Sequence, residues 1–394
     1  MLLKYVARLK YGDALPSSDD ERTGDVKVYG SNGPYSSFAR SNTASPVIVI
    51  GRKGSYGKLN WSGKPVFASD TTFFIDPTTT DAHLRWLYYV LHTLNLDVGS
   101  NEAAVPGLNR DTVYQRRVLL PPVNEQRAIA HFLDRETAKI DRLIDCKRRL
   151  LEVLAERRQA LITLAVTKGL DPDKPMKNSG VEWLGEIPEH WKSHKLKYCT
   201  SKIGSGKTPR GGAEVYVDDG ILFIRSQNVY FDGLRLADVV FIDAGTDNEM
   251  ASTRVMPNDV LLNITGASIG RCAHVPNVFG AANVNQHVCI VRPRRDLIDS
   301  RFLHLVMSSE VVQRQIFSNE TGVSREGLNF EQISNLWIAI PVSFTEQLRI
   351  VEHANMQLGK IASLQSQIVH MIDRLQERRF ALINEAVTGK LKVI

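Results

Sequence analysis

Apolar residues recur at every seventh position in two stretches of this chain and gather in short β-branched or aromatic runs elsewhere. From about Asn124 to Lys168, Leu133, Ile140, Leu154 and Leu161 keep that spacing, interrupted only by Lys147. Ile144, Leu151 and Ala165 form a parallel row. From about Thr345 to Thr388 the row is Ala354, Ile361, Ile368, Leu375 and Leu382, with Leu358, Ile372 and Ala386 beside it. Strict sevenfold spacing predicts a narrow coiled-coil seam rather than the broad face of a globular helix. Pro121-Pro122 closes the segment before the first helix, Asn124 is its N-cap candidate, and Gly169 with Pro172 stops it. At about 1.5 Å per residue each helix is roughly 65 Å long. Val47–Ile50, Phe73–Ile75, Ile221–Ile224, Val260–Leu262 and Val288–Val291 read as strands, and Leu84–Leu94 and Phe302–Phe317 as short helices.

The two helical stretches are copies. Glu125-Gln126 returns 221 positions later as Glu346-Gln347, Glu156-Arg157-Arg158 as Glu377-Arg378-Arg379, and Ala165-Val166-Thr167 as Ala386-Val387-Thr388. The segments before them are related more faintly. Leu3-Lys4-Tyr5 answers Leu196-Lys197-Tyr198, Ser100-Asn101-Glu102 answers Ser318-Asn319-Glu320, and Gly107-Leu108-Asn109 answers Gly327-Leu328-Asn329. Gly51 to Lys58 parallels Thr265 to Arg271 in the same way. A constant offset over this length means a chain built twice.

The expected fold is α+β: two homologous mixed α/β domains separated by a long antiparallel two-helix coiled coil, a pseudo-twofold internal repeat. The boundaries expected are 1–122 for the first domain, 123–169 for the first helix and 170–194 for a Pro-, Gly- and Lys-rich connection. The second domain follows over 195–343 and the second helix over 344–394. A helical arm packed along its own domain is the alternative, and it leaves two matching seams without their nearest partner. Glu-Arg-Arg and Ala-Val-Thr are expected to persist because both helices face the same kind of partner.

Composition changes this picture little. The chain has 394 residues, 43% hydrophobic and 23% charged, and a net charge of +6. That balance permits an anionic partner without demanding one. Between Lys195 and Ile340 basic and acidic residues cancel, so charge alone does not point to nucleic acid. No apolar run approaches the roughly 20 residues of a membrane span, and Met1-Leu2-Leu3-Lys4-Tyr5 is no signal peptide. Cys146, Cys199, Cys272 and Cys289 lack ligand spacing and are expected as free thiols in a cytoplasmic protein.

The tract Ser179-Gly180-Val181-Glu182-Trp183-Leu184-Gly185-Glu186-Ile187-Pro188-Glu189-His190-Trp191 carries a family resemblance. So do Gly204 to Pro209, Arg225 to Asn228, Thr265-Gly266 with Gly270-Arg271, and Asn285-Gln286-His287. In the first half, Tyr29 to Gly33, Ser69 to Phe73 and the Pro-X-X-X-Glu-Gln helix entry belong with them. With the duplication, these make the chain resemble the specificity subunit of a type I restriction-modification enzyme over nearly its whole length. One feature departs from the pattern. The second half has the Trp183 to Trp191 lead-in and the first does not, so either the start lies upstream or this member lacks the segment.

The resemblance implies a non-catalytic subunit with two target recognition domains. Each binds one half of a split, asymmetric sequence in double-stranded DNA, and the coiled coil sets the gap. It also implies two methyltransferase subunits docked on the helices and restriction/translocase subunits beyond them. S-adenosylmethionine, ATP and Mg then belong to those partners, and this chain has no cofactor of its own. Direct readout needs donor and acceptor side chains on exposed loops. The candidates are Tyr29, Ser31, Asn32, Arg52, Lys53, Ser55, Tyr56 and Lys58 in the first half. In the second they are Lys207, Thr208, Arg225, Gln227, Asn228, Ser268 and Arg271. Lysines suit phosphates, whereas the amides and arginines discriminate bases.

Other chemistries fit poorly. Gly204-Ser205-Gly206-Lys207-Thr208 resembles a phosphate-binding loop, but position 201 is serine and Pro209 with Gly211-Gly212 opposes the helix that should follow. Leu119-Leu120-Pro121-Pro122 lacks the Asn or Asp that precedes Pro-Pro in adenine methyltransferases. Asp218-Asp219 has no nuclease-like Glu-X-Lys partner, and the ten histidines show no metal spacing. No catalytic residue and no metal site are expected. The competing class is a coiled-coil adaptor, or an orphan subunit, whose domains bind proteins rather than specific DNA.

Overall fold

The computed structural model describes residues 1–16, 24–97, 107–318 and 327–393. Ser100-Asn101-Glu102 and Asn319-Glu320 lie outside the described residues. The chain divides into two compact units: Met1–Arg149 with Ile368–Ile394, and Leu150–Gln367.

The duplication is written in the sheets. In the first unit, one sheet runs in the spatial order Lys10–Tyr11, Thr72–Ile75, Val47–Gly51, Leu59–Ser62, every pair antiparallel. In the second unit, Thr200–Ser205, Val288–Pro293, Val260–Asn263 and Cys272–His274 follow the same order and sense. Each unit adds a mixed sheet holding one parallel pair, Val26–Gly30 with Phe67–Ala68 and Ile221–Ile224 with Ala282–Val284. The central strands Val47–Gly51 and Val260–Asn263 are buried throughout, which is why they read as continuous apolar runs. Alternate side chains face opposite cores. Ile48 and Ile50 pack with Phe73, Ile75 and Trp86, while Val47 and Val49 pack with Tyr29 and Phe74.

Backbone pairings repeat as well. Leu3 N–H donates to Arg116 O, and Leu196 N–H to Leu336 O, both at 2.8 Å. Leu108 N–H donates to Arg52 O at 2.8 Å, and Leu328 N–H to Ile264 O at 2.9 Å. Asn109 and Asn329 each cap the short helix that follows.

The long helices span Val123–Thr167 and Phe344–Val387. Asn124 therefore lies inside the first turn and is not the cap. The Gln126 N–H reaches the Pro122 carbonyl at 3.0 Å, so the ladder opens one step earlier. Among the seam residues Leu133, Ile140, Ile144, Leu154, Ala354, Ile361 and Ile368 are buried, and Leu151, Leu161, Leu358, Ile372, Leu375 and Leu382 are half-buried. In the first unit Ile129, Ala130 and Leu133 share a core with Ile383, Ala386 and Val387, and Asp141 bonds Arg379 at 2.8 Å. In the second, Ile162, Ala165 and Val166 share a core with Ile350, Val351 and Ala354. Within each unit an early stretch of one helix thus meets a late stretch of the other, the antiparallel sense.

Three expectations need correction. Ala165-Val166 and Ala386-Val387 are buried in the unit cores, so these four side chains anchor helix ends within the chain. The stretch Phe302–Phe317 is two helices, Ser300–Ser308 and Glu310–Ser318. They part at Ser309, whose extended backbone and hydroxyl, donating to Val306 O at 2.6 Å, end the first helix. The connection 170–194 is folded: Trp191–Lys195 pairs with Trp337–Pro341, and Leu184, Ile187 and Trp191 enter the second unit's core.

Candidate nucleic-acid interface

Each long helix begins at a latch that fixes the frame beneath the loops. Gln126 is buried; its carbonyl accepts from the His83 N–H at 2.8 Å, and its amide donates to Pro121 O at 2.8 Å. Gln347 does the same with the Asp299 N–H at 2.8 Å and Pro341 O at 3.0 Å, and adds Leu297 O at 3.1 Å.

In the first unit, the hairpin Val26–Gly30/Gly33–Phe38 turns through Ser31-Asn32 against the Arg52–Lys58 loop. Ser31 Oγ donates to the Lys53 carbonyl, and Lys58 Nζ donates to Asn32 Oδ1 at 2.7 Å. Ser31, Asn32, Arg52, Lys53 and Lys58 are therefore neighbours. Ser55, Tyr56 and Lys58 also line a recess of about 600 Å³ that Phe380 borders. Tyr29 is not among them. It is 8% exposed and packs on Val47, Val49 and Phe74, because its strand position points inward.

Arg52 stacks 5.2 Å from the Tyr11 ring centroid, and its Nη2 donates to Asp70 O at 2.7 Å. Arg110 lies 5.1 Å from the same ring. Tyr11 and Arg110 escaped the sequence reading. Their available signal was an exposed aromatic beside Lys10 on a strand end.

In the second unit Gln227, Ser268 and Arg271 line a recess of about 420 Å³ together with Tyr230, Thr265 and His287. Asp238 orders one edge, accepting from Gln227 Nε2 at 2.9 Å and facing Arg225 Nη2 at 3.8 Å. Asn228 is a correction. It is 1% exposed, accepts from the Arg225 N–H at 2.9 Å, and donates to the carbonyls of Arg235 and Asp238 at 2.9 and 2.8 Å. All these bonds hold its loop, which leaves nothing for a base edge.

Lys207 and Thr208 are exposed on the turn after Thr200–Ser205, whose backbone bonds Val284 and Val288 beside the His287 loop. A Cβ at Gly206 would overlap the Val284 carbonyl, which gives that glycine a packing reason. Tyr230, Arg235 and His287 are further site residues that the sequence reading missed. The signal for Tyr230 was its place before a Phe-Asp-Gly turn.

Buried groups nearby are structural. Burial pushes the thiols of Cys199 up to about 11 and of Cys272 and Cys289 up to about 12, so they remain protonated packing groups. Among the described residues no cluster of His, Cys, Asp or Glu is placed to hold a metal ion. No helix among them is long and apolar enough to cross a membrane.

Each unit thus presents arginine, lysine and amide side chains on its own set of loops above a like frame. Residues 2–153 match the family described as "Type I restriction modification DNA specificity domain". The chain is 25% identical over 358 residues to the type I restriction enzyme EcoBI specificity subunit of Escherichia coli, covering 87% of this chain and 73% of that one. It is 21% identical over 347 residues to the putative type I restriction enzyme MjaX specificity subunit of Methanocaldococcus jannaschii, covering 84% and 74%.

The fold matches a chain from the solved structure described as "Structural basis underlying complex assembly and conformational transition of the type I R-M system". That match has a TM-score of 0.73 and 14% identity, and covers 99% of this chain and 97% of the other. Residues 2–153 thus carry the domain of that family, and over most of its length the chain is similar to type I restriction-modification specificity subunits.

Proposed function

We propose that each unit reads one half of a split, asymmetric sequence in double-stranded DNA and that the paired helices set the gap between the halves. The observation that carries this is one hydrogen-bonded frame built twice beneath two unlike sets of exposed loops. Shared frames with divergent loops suit two readers of different sequences on one duplex, where half-site spacing follows from the scaffold.

Two methyltransferase subunits dock along the helices, and restriction/translocase subunits complete the assembly. In support, Leu143, Leu150 and Val153 on the first helix and Leu364, Val369 and Met371 on the second are uncovered large apolar side chains. S-adenosylmethionine, ATP and Mg act in those partners, in the cytoplasm.

The test is a swap of residues 1–120 for those of a relative, with the methylated-adenine motif read from DNA exposed to the chain and its methyltransferase. One half of the motif should change and the other stay. A swap that alters both halves, or neither, overturns the modular reading.

A further inference from the structure

The recess in the second unit contains one guanidinium that is positioned yet uncommitted. Arg271 lies 4.9 Å from the Tyr230 ring centroid, and among the described residues no hydrogen bond or ion pair engages its side chain. Several of its polar neighbours, by contrast, are engaged. Thr265 Oγ1 bonds His287 Nδ1 at 2.6 Å, and Gln286 bonds His287 Nε2 at 3.0 Å. Ser268 Oγ meets Asn263 Nδ2 at 3.1 Å, and Gln227 is held by Asp238. Arg235 stacks on the same tyrosine at 4.4 Å, but Asp232 pairs with it at 3.0 Å.

The platform itself is fixed. Tyr230 stands on the hairpin Val229–Tyr230/Gly233–Leu234, and Val229 is fully buried. A guanidinium ordered by stacking loses less freedom on binding, and no partner occupies its fork of donors among the described residues. That fork matches the two acceptors on the major-groove edge of guanine, O6 and N7. No other base offers that pair, since adenine carries a donor beside its N7 and the pyrimidines have no N7. A phosphate contact needs no such platform and is served by the exposed Lys207.

We propose that Arg271, positioned by Tyr230, reads a guanine in the half-site of the second unit. The assignment rests on the function proposed above and names the base chemistry of one of its sites. It does not extend to the first unit, where Arg52 stacks on Tyr11 but already donates to Asp70 O and buries its Nε without a partner.

The experiment uses the full chain in complex with its methyltransferase, binding a duplex library randomised across the recognition sequence. Wild type, Arg271→Ala, Arg271→Gln and Tyr230→Leu are compared, with thermal melts confirming folding. Wild type should select a G·C pair at one position of the second half-site. Arg271→Ala should relax that position by roughly 5- to 150-fold while the rest of the motif holds. Arg271→Gln keeps a polar stem and should relax the same position. Tyr230→Leu should relax it less, an effect on base identity that a merely structural role does not produce.

An unchanged motif in both arginine variants, or a uniform loss of affinity without loss of base choice, overturns the assignment and leaves the two-reader function standing. A second half-site without an invariant G·C pair also overturns the assignment alone. A wild-type complex without any sequence preference overturns the function itself.

Discussion

The latches and the loops of this chain were duplicated together and have since taken opposite courses. Gln126 and Gln347 still make the same two bonds, to a helix-starting N–H and to a proline carbonyl, within a few tenths of an ångström. The loops above them share almost nothing. One unit stacks Arg52 and Arg110 on Tyr11 at the end of a strand, and the other stacks Arg235 and Arg271 on Tyr230 in a hairpin. Buried polar groups tolerate no change because an orphaned donor costs its full desolvation. Exposed loops carry no such penalty, so recognition diverges where the frame permits.

The seam offers the strongest way to break this division. An aspartate at Ile368 or Leu154, each buried, places an unpaired charge in an apolar contact and should cost about 4 kcal/mol or more. Co-purification with the methyltransferase and the denaturation midpoint should both fall, whereas Arg271→Ala leaves both intact. Retained assembly in Ile368→Asp would detach the helices from the docking role.

Acid should find both units. Burial, with the neighbouring His274 and the guanidinium of Arg158, pushes His304 down to about 4, and burial with Arg379 and Arg85 does the same to His92. A histidine kept neutral in the fold but protonated at about 6.5 when unfolded lets stability drain as pH falls from 6.5 to 4. The loss approaches about 3 kcal/mol per site. Urea midpoints measured between pH 7 and 4 should therefore drop for the wild type and drop less for His304→Gln or His92→Gln. Equal slopes in all three proteins would mean these imidazoles are not held neutral.

The latches come next. Gln347→Leu removes three bonds and Gln126→Leu two, for about 3 and about 2 kcal/mol respectively. Urea titration should rank them in that order. The reverse ranking would show that the third bond, to Leu297, adds nothing.

Much of this architecture was legible beforehand for one physical reason: periodicity survives wherever a continuous surface is buried. The seams from Leu133 to Leu161 and from Ala354 to Leu382 have to keep one face covered along their length, so their spacing shows in the sequence. The central strands are buried on both faces and show as unbroken apolar runs. The loops obey no period. Nothing local distinguishes Asn228, wholly engaged within its turn, from its neighbour Gln227, whose side chain is exposed. Tyr29 read as a loop residue because the glycines around it signal a turn, but the inward face of its strand was decided by pairing to Ala68, far along the chain. The aromatic platforms depend on such distant pairings and left only faint marks.

The smallest expected effect tests how far the helices themselves remain equivalent. Glu156-Arg157-Arg158 and Glu377-Arg378-Arg379 are copies, yet only the second finds its counter-ion. Arg379 reaches both oxygens of Asp141, at 2.8 and 3.4 Å, whereas the position answering Asp141 in the other copy is Ala362. Among the described residues no ion pair engages Arg158. The Arg379–Asp141 pair is partly exposed, at 30% and 49%, so solvent screens it and a double-mutant cycle should give about 0.5–1 kcal/mol, shrinking with added salt. Arg158→Ala should shift stability by less than about 0.5 kcal/mol. Installing Ala362→Asp should then create a coupling to Arg158 of the same small size. Its failure to appear would show that the two copies no longer share side-chain geometry along the seam, and that only their buried latches and anchors remain alike.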